Sequence, residues 1–151
     1  FGEVIVRTRP LPRSSRWFTT DSDPFELLAG LYRPVSILWD GKTTWLRLDG
    51  DPGDVDVAAS GFRLRQVDGP PPLPGPHRWS VPPGELRALR SEIPGSFVAQ
   101  IGVGVVHRVE PQLRGPVDPA IRQLHDRIKQ HFDPSGRLNP GLDPLAVGIR
   151  S

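Results

Sequence analysis

Strand-like stretches of β-branched or alternating apolar residues are interspersed along the chain with stretches whose apolar residues recur at three and four. Gly2 to Arg9 is rich in β-branched residues and reads as a strand closed by Pro10-Leu11-Pro12. Arg13 to Arg16 reads as a polar connector, and Trp17 to Thr19 as a short strand. Asp21 or Ser22 offers an N-cap, Asp23-Pro24 opens a helical turn, and Phe25, Leu27, Leu28 and Leu31 form its apolar face until Pro34. Val35 to Trp39 and Thr43 to Leu48 are strands joined by the hairpin signal Asp40-Gly41. Thr44, Leu46 and Leu48 share one face; Trp45 and Arg47 share the other. Val55 to Ala59 allows a short helix, which Pro52 and Gly53 weaken, and Phe62 to Val67 alternates as a strand.

From Trp17 to Val67 the order is β-α-β-β-α-β, the ferredoxin-like order. The expected class is α+β: an antiparallel sheet with helices on one face, extended by further strands and a C-terminal helix. Residues 69–76 hold five prolines and read as a rigid connector. His77 is read as part of that connector, and the second half begins with Trp79. A helix over about Glu85 to Glu92 and apolar strands over Ser96–Gly102 and Gly104–Val109 follow, with Gly102 and Gly104 bracketing a tight turn or bulge. Asp118-Pro119 is an N-cap with an N1 proline. Ile121, Leu124, Ile128 and Phe132 then make an apolar stripe whose burial would contribute roughly 6–10 kcal/mol before entropy.

Composition narrows the picture. With 19 Pro and 16 Gly in 151 residues the chain is rich in turns, and its 36% apolar content is that of a globular domain. Lys occurs only at 42 and 129, so the basic residues are almost all Arg. A formal charge of +2 without a run of like charges argues against a nucleic-acid partner. The absence of Cys excludes disulfides, iron–sulfur ligation and thiol catalysis. No apolar run is long enough to span a membrane, no secretory signal is visible, and a cytoplasmic location is expected. The chain lacks Met and begins at Phe1, which reads as a piece excised from a longer protein.

Candidate chemistry is sparse. Gly102-Val103-Gly104 lacks the third glycine of a dinucleotide loop and lies between strands. His125 and His131 are six apart, which does not suit a shared metal, so no metal site is expected. Asp49 to Asp54 superficially suggests a calcium loop, but Pro52 and the missing terminal Glu argue against one. His107 stands alone in an apolar strand. It is either a hydrogen-bonded structural histidine or a group that meets substrate or cofactor in a cleft. Arg63, Arg65 and Arg108 each suit an anion, and the sequence does not choose among them.

The tail is the most distinctive string: Leu124-His125-Asp126-Arg127-Ile128-Lys129-Gln130-His131-Phe132-Asp133-Pro134-Ser135-Gly136-Arg137-Leu138-Asn139-Pro140-Gly141. It resembles the C-terminal signature of FAD-linked oxidases of the vanillyl-alcohol-oxidase type. Gly2 to Pro12 resembles the closing strand of that family's FAD-binding domain. Trp79-Ser80 with Gly102 to His107 is similar to the substrate domain of the glycolate oxidase FAD-binding subunit, the branch the chain most resembles. The histidine-rich motif of the metal-dependent relatives is absent.

The resemblance implies that residues 1–12 end an FAD-binding domain and that residues 13–151 form the C-terminal substrate or cap domain. It implies FAD, held mainly by a missing N-terminal domain, as cofactor. It also implies hydride transfer from a small 2-hydroxy acid (glycolate-like) or another alcohol, and a fragment inactive alone. Asn139, Pro140 and Gly141 are carried over as the cofactor contact, with His107 as the catalytic group on the substrate side. Partners would be the chain's own FAD-binding domain and further oxidase subunits. The alternative is a non-catalytic ferredoxin-like interaction module in a multi-subunit complex.

Overall fold

The computed structural model describes residues 11–112, 116–137 and 145. The chain divides into two units, Phe1–Val109 and Glu110–Ser151. The first holds strands β1 (Ser14–Thr20), β2 (Ser36–Trp39), β3 (Thr44–Gly50), β4 (Arg65–Val67), β5 (His77–Ser80), β6 (Phe97–Gln100) and β7 (Val105–Arg108). Helices α1 (Pro24–Gly30) and α2 (Pro52–Gly61) and a 3-10 helix (Pro83–Ser91) complete it. The second unit carries α3 (Pro119–Phe132).

One device starts all three α-helices. Asp23 accepts from the Phe25 and Glu26 amides at 2.7 and 3.3 Å. Asp51 accepts from Gly53 at 3.1 Å, and Asp118 from Ala120 at 2.8 Å. A proline follows each aspartate at the first helical position, where its missing N–H costs nothing. Part of the proline excess is therefore helix-starting sequence. Pro52 begins α2 where the sequence reading took it as a weakening residue, and Asp23 caps α1 in place of Asp21 or Ser22.

The ladder is antiparallel throughout, in the order β4-β1-β3-β2-β6-β7-β5. Its first four positions are the ferredoxin-like order. The Asp40 carboxylate folds onto the Lys42 and Thr43 amides at 2.9 and 2.7 Å and closes the β2–β3 hairpin, with Gly41 at φ +99°. The second half of the unit joins the same sheet at a short seam, Leu38↔Gln100 and Trp39↔Ala99. The Ile101 amide extends that seam by donating to Ile37 O at 2.9 Å. The α+β class and the extension by further strands follow the expectation.

Side chains alternate across this sheet. One face turns to the helices and builds the core from Phe18, Leu46, Leu48, Ile37, Trp39, Phe97, Ala99 and Val106, with Leu27, Val55 and Leu86 from the helices. Trp39 stands edge-on to Phe97 at 5.6 Å and to Phe25 at 6.1 Å. Arg108 is buried on this face. It ion-pairs with Glu92 at 3.0 Å and lies 4.5 Å over the Trp79 ring, so it is committed internally.

Several expectations change. Residues 14–16 are strand, because β1 pairs with β3 from Ser14↔Gly50 onward. Phe62 caps α2, so β4 starts only at Arg65. His77 lies in β5, which pairs with β7, and not in the connector. The helix over 85–92 is a 3-10 helix from Pro83. Asp118 and Pro119 open α3 as read, but none of its residues is buried: Ile121, Leu124, Ile128 and Phe132 are 54, 55, 50 and 74% exposed. The burial energy assigned to that stripe is not realised. The strand read over residues 2–9 lies outside the described residues.

Candidate functional site: the sheet face turned from the helices

The residues between the core positions define the second face. A single register row crosses all seven strands there: Arg65, Thr19, Trp45, Leu38, Gln100, Val105 and Ser80. Adjacent rows add Val67–Trp17–Arg47–Ser36 on one side and Val98–His107–Arg78 on the other. Trp17, Trp45, Leu38 and Val105 are half-buried, and Val98 is only 3% exposed. The result is a platform of two indoles and three aliphatic side chains, with Gln100 and His107 as neighbouring polar groups.

Arg47 belongs to this face but is not free to take a substrate. Its guanidinium reaches both Asp49 oxygens at 3.0 and 3.2 Å and Ser15 Oγ at 3.1 Å. Burial pushes the Asp49 carboxyl up. The hydrogen bonds from Arg47 and Ser15, with the Arg47 charge, outweigh that and hold it below the usual carboxylate range.

His107 is half-buried on β7, with Val98 beside it on β6 and Arg78 beside it on β5. Desolvation, and then the Arg78 charge, lower its pKa below the ordinary histidine value. The imidazole is therefore neutral at pH 7 and keeps one ring nitrogen as a proton acceptor. Below the ordinary histidine pKa the unfolded chain binds a proton at this site that the folded chain resists. Stability should thus fall as pH drops through the ordinary value of about 6.5 and level off below the depressed folded one. Urea unfolding at about pH 7.5 and about pH 5 checks this, with His107→Gln expected to remove its share of the slope.

The turn beyond α3 is built by Asp133 and Gly136 as far as it is described. Asp133 is buried, its Oδ1 accepts from the Arg137 amide at 2.8 Å, and its Oδ2 accepts from Lys129 Nζ. Its carbonyl accepts from the Gly136 amide at 3.0 Å, with Gly136 at φ +66°. Asn139, Pro140 and Gly141 lie outside the described residues.

Sequence reading picked out His107 but missed Trp17, Trp45, Leu38 and Gln100 as its neighbours. The alternation of β3 separated Trp45 from the core, yet nothing local announces that β6 lies beside β2. A half-apolar surface edged by hydrogen-bonding groups is chemically suited to an aromatic ring system such as a flavin's. No described residues fit its pyrophosphate: no glycine-rich loop leads from a strand into a helix N-terminus. Among the described residues no cluster of acidic and imidazole groups would hold a metal ion. No helix among them is long and apolar enough to cross a membrane.

No curated protein and no solved structure matches the chain. Residues 83–142 match the family model described as FAD linked oxidases, C-terminal domain. That stretch runs from the 3-10 helix through β6, β7 and α3 to the end of the tail motif, so it includes His107 and Asn139. The match covers less than half of the chain. Over it the protein is similar to the C-terminal domain of FAD-linked oxidases, whose cofactor is FAD and whose partner is an N-terminal FAD-binding domain.

Proposed function

We propose that the chain is the substrate or cap domain of an FAD-dependent oxidoreductase of the vanillyl-alcohol-oxidase type. Its nearest branch would be the glycolate oxidase FAD-binding subunit, and its substrate a small 2-hydroxy acid or another alcohol. Residues 1–12 would close the FAD-binding domain and 13–151 would form the cap. The observation that carries this reading is the second sheet face, where His107 is held neutral beside an apolar platform.

FAD, when bound, supplies the acceptor for the hydride leaving the substrate C–H bond. Trp17, Trp45, Leu38 and Val98 would wall off water from the reacting carbon. The unprotonated ring nitrogen of His107 would take the substrate hydroxyl proton, a contribution of roughly 100-fold or more for a positioned base. Arg78 would disfavour the imidazolium and keep that nitrogen free. Asn139, with Pro140 and Gly141 shaping its approach, would contact the cofactor.

The test uses the full-length flavoprotein. His107→Gln should slow flavin reduction by about 100-fold with little change in flavin content. The acid limb of the wild-type rate profile should disappear with it. An unchanged reduction rate would remove His107 from the chemistry.

A second reading is a non-catalytic interaction module within a multi-subunit complex. The exposed stripe Ile121, Leu124, Ile128 and Phe132 favours it. It predicts stable association with a partner in a preparation that never carries flavin.

A further inference from the structure

Six of the ten described arginines of the first unit have a carboxylate partner, and Arg33 and Arg78 are among the four that do not. Arg13 pairs with Asp51, Arg16 with Asp56, Arg47 with Asp49, Arg87 and Arg90 with Asp23, and Arg108 with Glu92. Arg63 and Arg65 have no such partner among the described residues, and both line one recess of about 480 Å³. Thr19, Thr20, Asp21 and Ser22 form the rest of its wall. The recess lies where β1 ends and the edge strand β4 begins, with Arg65 directly opposite Thr19. Five strand spacings separate β4 from β7, so it stands roughly 24 Å from His107.

Arg63 occupies an unusual position for its type. Its φ is +52°, in the left-handed region. It is the residue that turns the chain out of α2: its amide donates to Ser60 O at 3.2 Å and the Leu64 amide donates to Ala59 O at 2.8 Å. Glycine fills such a position most readily. Here a guanidinium is placed instead, and it lines the same recess as Arg65. The hydroxyl wall is organised as well. Thr20 Oγ1 donates to Ser22 Oγ at 3.1 Å and accepts from the Ser22 amide at 3.2 Å.

From this arrangement we propose that the recess binds a small oxyanion that also carries hydroxyl groups. The two guanidinium forks take the phosphate or carboxylate oxygens. Asp21 would oppose a bare anion, but its carboxylate accepts a hydrogen bond from a ligand hydroxyl, as do the threonine and serine oxygens. The volume suits a molecule of metabolite size. This inference goes beyond the flavin reading and does not rest on it.

Calorimetric titration of the full-length protein at low salt tests it, with three probes: glycerol phosphate, gluconate and inorganic phosphate. One hydroxylated probe should bind with a millimolar or tighter constant, and which one tells phosphate from carboxylate. Arg63→Gly and Arg65→Gln should each weaken that binding by about tenfold or more. Arg63→Gly should do so without lowering the melting temperature, because glycine suits its backbone. Asp21→Asn should weaken the hydroxylated probe while strengthening inorganic phosphate. Failure of both hydroxylated probes to bind overturns the proposal. So does affinity that survives both arginine substitutions, or an Asp21→Asn variant that treats all probes alike.

Discussion

Gly104→Ala is expected to destabilise the first unit more than any other single glycine change in its β6–β7 turn. Gly104 closes the turn between β6 and β7 at φ +84°, where a side chain is strained whatever the space around it. A Cβ there would also run into the carbonyl oxygen of Val81. That contact has no slack, because the Val81 amide donates to Gly104 O at 2.8 Å and draws the two backbones together. Strain and collision together should remove about 3 kcal/mol or more, against a total of about 5–15 kcal/mol for a typical domain. Gly102→Ala is the matched control. Its φ is also +84°, but the nearest obstacle is the end of the Leu28 side chain at 3.4 Å, which can move. It should lose only about 1–2 kcal/mol. Urea unfolding followed by tryptophan fluorescence separates the two, and equal losses would show that the Val81 contact does not govern the turn.

Phe97→Ala should be nearly as damaging, by about 3–5 kcal/mol. The ring is fully buried, meets the Trp39 edge at 5.6 Å and lies 5.9 Å beneath the Arg108 guanidinium. Its location amplifies the loss. Phe97 heads β6, the strand that joins the ferredoxin-like half to the remaining two strands, and its ring packs against the hairpin glycine Gly41. Removing it hollows the core beside the place where the ladder is shortest. A melting temperature lowered by less than a few degrees would contradict this placement; a red shift of the Trp39 emission should accompany the expected loss.

The parts that were legible in the sequence share a cause. The β2–β3 hairpin, the Asp-Pro starts of α1 and α3, the alternation of β3 and the glycine-bracketed turn are local, decided within a few residues by φ limits and side-chain-to-backbone hydrogen bonds. β5 was not legible, because His77-Arg78-Trp79-Ser80 has a single apolar residue and becomes a strand only by pairing with β7. The same holds for residues 14–16, which β3 recruits. For the site, His107 stood out as a lone imidazole in an apolar strand, but its platform needs β6 beside β2, a long-range pairing. Arg63 was read as a strand residue. Nothing in its type signals a left-handed backbone, which the end of α2 imposes.

The brevity of the β2–β6 ladder has a kinetic consequence. Two paired positions and a few flanking amides tie two much longer ladders together. Sub-global opening should begin at this joint, so that each leaf exchanges its amide hydrogens as a block with its own protection factor. Since Leu38 and Gln100 face each other across the joint on the platform side, any molecule bridging them would act as a clamp. Its binding would then register as slowed deuterium uptake in strands it never touches.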